Sequence, residues 1–159
     1  MSKKLIILIV LLVAVTVVVA AVHLINQETV DCMVIVHEDR QIAVSFSDLD
    51  KVAFSGDLVD GKGDVASHEY TGILLRELLT AKGIDPSMLT KVTVTSADNY
   101  SVEFTVEEIL QADKVYIAIT ADGEKIEGID SGTEGVQAIV FGDANSRRCV
   151  RFAQRITVE

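Results

Sequence analysis

The chain has 159 residues, a formal charge of −10 and 49% hydrophobic residues. Two cysteines exclude a disulfide-dense scaffold and a four-thiolate zinc site, and one proline with ten glycines excludes a collagenous or Pro-rich protein. After Asn26 the chain carries all 24 acidic residues against 12 Lys and Arg, a formal −12, which argues against DNA or RNA as a partner.

From Leu5 to Val22 the sequence is apolar except for Thr16. Residues 5–25 have the length to cross a bilayer core about 30 Å thick as a helix rising about 1.5 Å per residue. Lys3 and Lys4 precede the run, and Glu28 and Asp31 follow it. This charge order predicts a cytoplasmic tail over 1–4, an anchor over 5–25, a tether over 26–31 and an exported domain over 32–159. A cleaved signal peptide with Val19-Ala20-Ala21 near its cut is the competing reading, and it too exports the domain. The exported part is long enough for one domain with one core.

Within it, Cys32 to His37 reads as a strand rich in β-branched residues, and Gln41 to Phe46 as a second. Ser47 can open a short helical turn, and Val52 to Phe54 is a further short strand. Ser55 to Asp64, rich in Gly and Asp, reads as a loop. Thr71 is then expected to cap a helix over 71–82, with Leu74, Leu75, Leu78 and Leu79 as its apolar stripe and Gly83 as its stop. Lys91 to Thr95 and Tyr100 to Phe104 alternate around Asp98-Asn99 as a hairpin. Thr105-Val-Glu-Glu108 is a capping box for a short helix. Lys114 to Thr120, Val136 to Phe141 and Arg148 to Val158 complete the strands. The fold class is α+β, β-rich, with few helices.

The order of these pieces resembles that of sulfite-oxidase-like molybdopterin-binding domains. Tyr70-Thr71-Gly72-Ile73-Leu74-Leu75-Arg76-Glu77-Leu78-Leu79 is similar to that family's aromatic-Thr-Gly-x-x-Leu-x-x-Leu-Leu run. Ser96-Ala97-Asp98-Asn99-Tyr100 resembles its Ser-x-Asp-Gly-Tyr, Thr105 to Ile109 its short Thr-x-Glu-Glu-Leu helix, and Asp122-Gly123-Glu124 its Asn-Gly-Glu turn. The resemblance covers about Val44 to Val158 and implies a mixed-sheet molybdopterin-binding fold. It also implies a cysteine thiolate, placed before the Thr-Gly segment, that grips molybdenum. Here that neighbourhood is Val52-Ala53-Phe54-Ser55-Gly56-Asp57, without a cysteine. A soft metal centre prefers thiolate, so no bound cofactor is expected, with molybdopterin as the group that the family would supply.

The candidate pocket residues under this resemblance are Ser55, His68 and Tyr70, with Arg147 and Arg148 as an anion site retained for a phosphate. No metal site is expected. His68 with Asp57, Asp60 or Asp64 is a conceivable metal set, but a solvated loop is favoured, and the spacing is not that of an EF-hand. Ser55 with His68 and an aspartate lacks a nucleophile elbow. The alternative for the arginines is cross-strand pairing with carboxylates. Asp122, Glu124, Glu127, Asp130 and Glu134 read as a surface loop, and Cys149 as a buried strand residue. The leading expectation is a membrane-tethered binding or interaction module, with a small anionic ligand or a membrane protein as partner. The competing expectations are a molybdopterin-dependent oxidoreductase and a subunit of a membrane redox complex.

Overall fold

The computed structural model describes residues 33–159, so the expected anchor and tether and Cys32 lie outside the described residues. Two five-stranded sheets face each other. The first runs β2 (Arg40–Val44), β1 (Met33–His37), β10 (Ala153–Val158), β5 (Lys91–Ser96), β6 (Ser101–Thr105). The β1–β10 pair is parallel and its other pairs are antiparallel, so the sheet is mixed. The second sheet runs β3 (Val52–Val59), β4 (Val65–Leu74), β7 (Val115–Ala121), β8 (Glu124–Lys125), with β9 (Gln137–Val140) also on β7.

Between the sheets lies the main core. Ile35, Val92, Val94 and Ile156 from the first sheet and Ile117 from the second are fully buried there. Helix α1 (Leu75–Ala81) contributes Leu75, Leu78 and Leu79, all at 0% exposure. Its end follows the Schellman pattern. Gly83 at φ +77 donates to the Thr80 carbonyl and Ile84 to the Leu79 carbonyl, while the buried Ile84 side chain closes the turn. Helix α2 (Val106–Leu110) begins at the expected capping box: Thr105 accepts from the Glu108 N–H, and the Glu108 carboxylate accepts from the Thr105 N–H.

Three expectations are corrected. Residues 71–74 do not open the helix. They are the end of β4, paired with Thr120, Ala118, Ile117 and Tyr116 of β7, so their backbone groups are satisfied by the ladder and Thr71 caps nothing. Leu74 therefore leaves the helical stripe and packs on the other face of the sheet. Second, Ser55 to Asp64 is not a long loop. Val52–Val59 pairs residue for residue with Val65–Gly72, and only a tight turn remains. The Asp60 carboxylate accepts the Lys62 and Asp64 N–H groups there, and Gly63 supplies φ +94. The alternation of Phe54, Gly56 and Leu58 with Ser55 and Asp57 was the strand signal; the Gly and Asp content obscured it.

Third, the last strand begins at Ala153, not Arg148. Ser146–Arg148 forms a 3-10 turn, Val150 bridges to Ala138, and Phe152 takes φ +53 before β10 starts. The chain is here crossing from the second sheet to the first, and it cannot keep one straight ladder while doing so. Cys149 thus lies in the crossing and not in a strand, and the ladder to β5 itself shifts register between Ala153 and Arg155. The hairpin β5–β6 stands as expected, with Asn99 at φ +68 in its turn.

Candidate functional site

Strands β3, β4, β7 and β9 turn a second face away from the main core. Alternation places Phe54, Tyr70, Tyr116 and Ile139 on it, with Phe141 following β9. Phe54 stacks between Tyr116, ring centroids 3.9 Å apart, and Tyr70, 5.4 Å apart. Phe141 meets Phe54 and Tyr116 edge-on, each at 6.0 Å. Four of the chain's eight aromatic residues gather here. Burial pushes the Tyr70 and Tyr116 hydroxyls up, the latter to about 12 with help from its hydrogen bond to Asp113.

A cleft of about 550 Å³ opens beside the rings, lined chiefly by Phe54, Gly56, Asp57, Asp113, Tyr116 and Phe141. The Phe141 ring fills the space over Gly56: a Cβ at that position would stand 2.5 Å from Phe141 Cε1. Ser55 lines the cleft, but cross-strand pairing sets it opposite Glu69 while His68 sits opposite Gly56. Ser55 and His68 therefore project from opposite faces of the hairpin and form no nucleophile–base pair.

His68 finds a partner other than the three aspartates expected from its own hairpin. Its Nδ1 lies 2.7 Å from Asp122 Oδ2, and Asp122 Oδ1 accepts the Glu69 N–H at 3.0 Å. The Glu69 N–H, and then His68, hold the Asp122 carboxyl below its ordinary range. His68 is next to Tyr70, ring centroids 6.0 Å apart, so these two expected residues do share a face. Asp122 belongs to the turn joining β7 to β8; only the β4–β7 pairing brings it to His68.

The arginines are not an open anion pocket. Arg148 Nη1 and Nη2 donate to both oxygens of Glu108 at 2.6 and 3.0 Å, and Nη1 reaches Asp143 at 3.3 Å. Nη2 also donates to the Glu103 carbonyl, and the guanidinium lies 4.9 Å from the Phe104 ring centroid. Glu108 raises the Arg148 pKa, and Arg148 lowers that of Glu108. Lys114 binds the same Asp143 at 2.9 Å. Arg147 takes part through its backbone, whose carbonyl accepts the Tyr100 hydroxyl at 2.5 Å. Arg148 is thus paired with carboxylates, as the alternative had it, but from a 3-10 turn to a helix and a loop and not across strands.

These residues do not fit a molybdenum–pterin group. No thiol stands on β3. Cys149 packs on the main core with its sulfur accepting the Val140 N–H at 3.4 Å, and burial pushes its thiol up, away from the thiolate form. Among the cleft's lining residues the charged ones are Asp57 and Asp113 and none is cationic, so nothing there would balance a phosphate. Among the described residues no group of three or more His, Cys, Asp or Glu is placed to hold a metal ion.

The sequence reading missed Asp113, Tyr116, Phe141 and Asp143. The signal for Tyr116 and Phe141 was their alternation against Val115, Ile117 and Val140, which marks a second packed face.

Residues 25–158 match the oxidoreductase molybdopterin binding domain family. The chain belongs to that family. The sulfane dehydrogenase SoxCD from Paracoccus pantotrophus shares the fold with a TM-score of 0.63 at 17% identity, over 79% of this chain. The match spans 37% of the SoxCD chain, so this chain corresponds to one part of that protein. No curated protein matches.

Proposed function

We propose that the chain is a membrane-tethered, extracytoplasmic binding or interaction module on a molybdopterin-binding scaffold, without redox catalysis of its own. The observation that carries this reading is the composition of the cleft along Ala53 to Asp57, the segment to which the resemblance assigns the metal-gripping thiolate: it has no cysteine, and no cation is among the cleft's lining residues. Arg148 and Lys114, the nearby cations, are held by Glu108 and Asp143. The apolar run of residues 5–25 supports the tether. Among the described residues no helix is long and apolar enough to cross a membrane, and the run lies outside them.

The test is metal and pterin analysis of the full chain produced in a host that makes the cofactor. The expected result is no molybdenum above background; stoichiometric molybdenum with pterin overturns the reading in favour of an oxidoreductase. The tether is tested by fractionation. The full chain should sediment with membranes and require detergent, whereas a chain starting after Asn26 should not.

A further inference from the structure

We infer that the end of the domain carrying Tyr100 and Ile129 rests on the headgroup layer of the membrane that holds the chain, and that these two side chains enter it. This rests on the membrane-tether reading above and names the surface that faces the bilayer.

Strand pairing fixes the end at which the chain enters the domain. Met33, the first described residue, starts β1. β10 runs parallel beside it, with Val34 opposite Arg155, so β10 starts at the same end. Ala153 pairs with Ser96, the last residue of β5, so the β5–β6 turn with Tyr100 lies at this end too. The loop joining β8 to β9 comes to the same place. A cavity of about 380 Å³ is lined by Met33, Val34 and Phe152 together with Ile129. At the opposite end His37 pairs with Val158, and Met88 lines a second cavity with both.

Tyr100 is 48% exposed and Ile129 51%. The Tyr100 hydroxyl is pinned to the Arg147 carbonyl. The loop under Ile129 is closed on itself: the Gly128 N–H donates to the Thr133 carbonyl at 2.8 Å, and the Gly135 N–H to the Ile126 carbonyl at 2.7 Å. A single exposed apolar residue is ordinary, and Met88 is more exposed still at 79%. What distinguishes Tyr100 and Ile129 is their place beside the chain's entry. Residues 26–32 join the apolar run to Met33, and at about 3.3–3.6 Å per residue they span at most about 29 Å. So short a link makes contact with the bilayer intramolecular, and a weak apolar contact then suffices.

The chemistry of this end suits a headgroup layer. Tyrosine has an apolar ring and a polar tip, the combination favoured at membrane interfaces. Arg151 and Arg155, both exposed, flank the start of β10 and can meet lipid phosphates. Asp130 and Glu134 also line the cavity, Glu134 being paired with Lys125, so the contact is shallow. The formal −12 of the exported part makes a zwitterionic leaflet the fitting partner and an anionic one unfavourable.

The chain has no tryptophan, so a single one reports on its own site. The full chain carrying Ile129→Trp, Tyr100→Trp or Met88→Trp is reconstituted into phosphatidylcholine vesicles, with and without lipid brominated near the headgroup end of its acyl chains. Bromine quenches tryptophan only at close range. Ile129→Trp and Tyr100→Trp should emit at shorter wavelength than Met88→Trp and lose about half or more of their emission to the brominated lipid, against about a tenth or less for Met88→Trp. Tryptophan itself favours the interface, and the Met88 variant carries that same bias. Adding Ile129→Asp to the Tyr100→Trp chain should weaken its quenching. Tyr100→Trp also provides the test should Ile129→Trp fail to fold. In a vesicle-bound chain, quenching at Met88 equal to or above that at the other two positions overturns the inference, as does indifference of Tyr100→Trp to Ile129→Asp; either leaves the tether reading standing. A full chain that does not float with the vesicles removes the tether reading and this inference with it.

Discussion

The second sheet has two faces made from the same strands, and they are packed differently. Along β7, Val115, Ile117 and Ile119 join the main core, while Tyr116 and Ala118 join the outer cluster. The inner face is aliphatic, closed by the first sheet and by α1. The outer face is aromatic, bordered by partly exposed Phe54, Leu58 and Phe141, and ends in a cleft. Aliphatic burial between two layers creates a dry core that specifies the fold. Rings packed at a sheet surface, with a few carboxylates at their edge, leave a concave site. One alternating strand thus contributes to two differently packed faces, each through every second residue.

The largest effect should come from the inner face. Leu75→Ala removes a fully buried side chain and should cost about 2–5 kcal/mol in chemical denaturation. A loss below about 0.5 kcal/mol would mean that α1 does not pack as described, since only surface substitutions are normally that mild.

Where β4 crosses β7, at a register shift, Gly72 brings the two backbones together. A Cβ there would lie 2.1 Å from the Ile117 carbonyl oxygen. Gly72→Ala should therefore destabilise by about 1–3 kcal/mol, measured by the same denaturation, because backbone on both sides cannot yield as a side chain does. Gly56→Ala meets the Phe141 ring instead, which can turn aside. Its cost should shrink in a Phe141→Ala background, and the coupling in a double-mutant cycle should be about 0.5 kcal/mol or more. Additivity of the two substitutions would break the contrast between a rigid inner contact and a yielding outer one.

Smaller effects belong to the ion network. Arg148→Met should cost about 1–2 kcal/mol, since the guanidinium keeps a third of its surface in water. Its pH signature is more telling. Arg148 holds the folded Glu108 carboxyl below its ordinary 4.5. The unfolded chain therefore takes up that proton first. The contribution is fully present above pH 4.5 and is lost as pH falls through the lower folded value. Stability of the wild type should decline over that acid window more steeply than that of Arg148→Met, as read from melting at stepped pH. The smallest effect is expected for His68→Ala. The His68–Asp122 pair is largely solvated, so the melting temperature should stay within error of the wild type.

What the sequence determined by itself is whatever one segment encodes locally. The capping box at Thr105 and Glu108, the hairpin around Asp98-Asn99, the glycine stop at Gly83 and the leucines of α1 are short-range patterns, and they stand where the pattern puts them. The ordered motifs from Tyr70 to Val158 also carried the family. The tertiary structure decided which partner each polar residue took. His68 reaches Asp122 across 54 positions, Arg148 reaches Glu108 across 40, and Lys114 reaches Asp143 across 29. It also turned Thr71 to Leu74 from helix into strand, because β7 offered those four residues a ladder that a helical first turn could not match. Local propensity is a weak preference of about a kilocalorie or less per residue, and strand pairing with burial outweighs it.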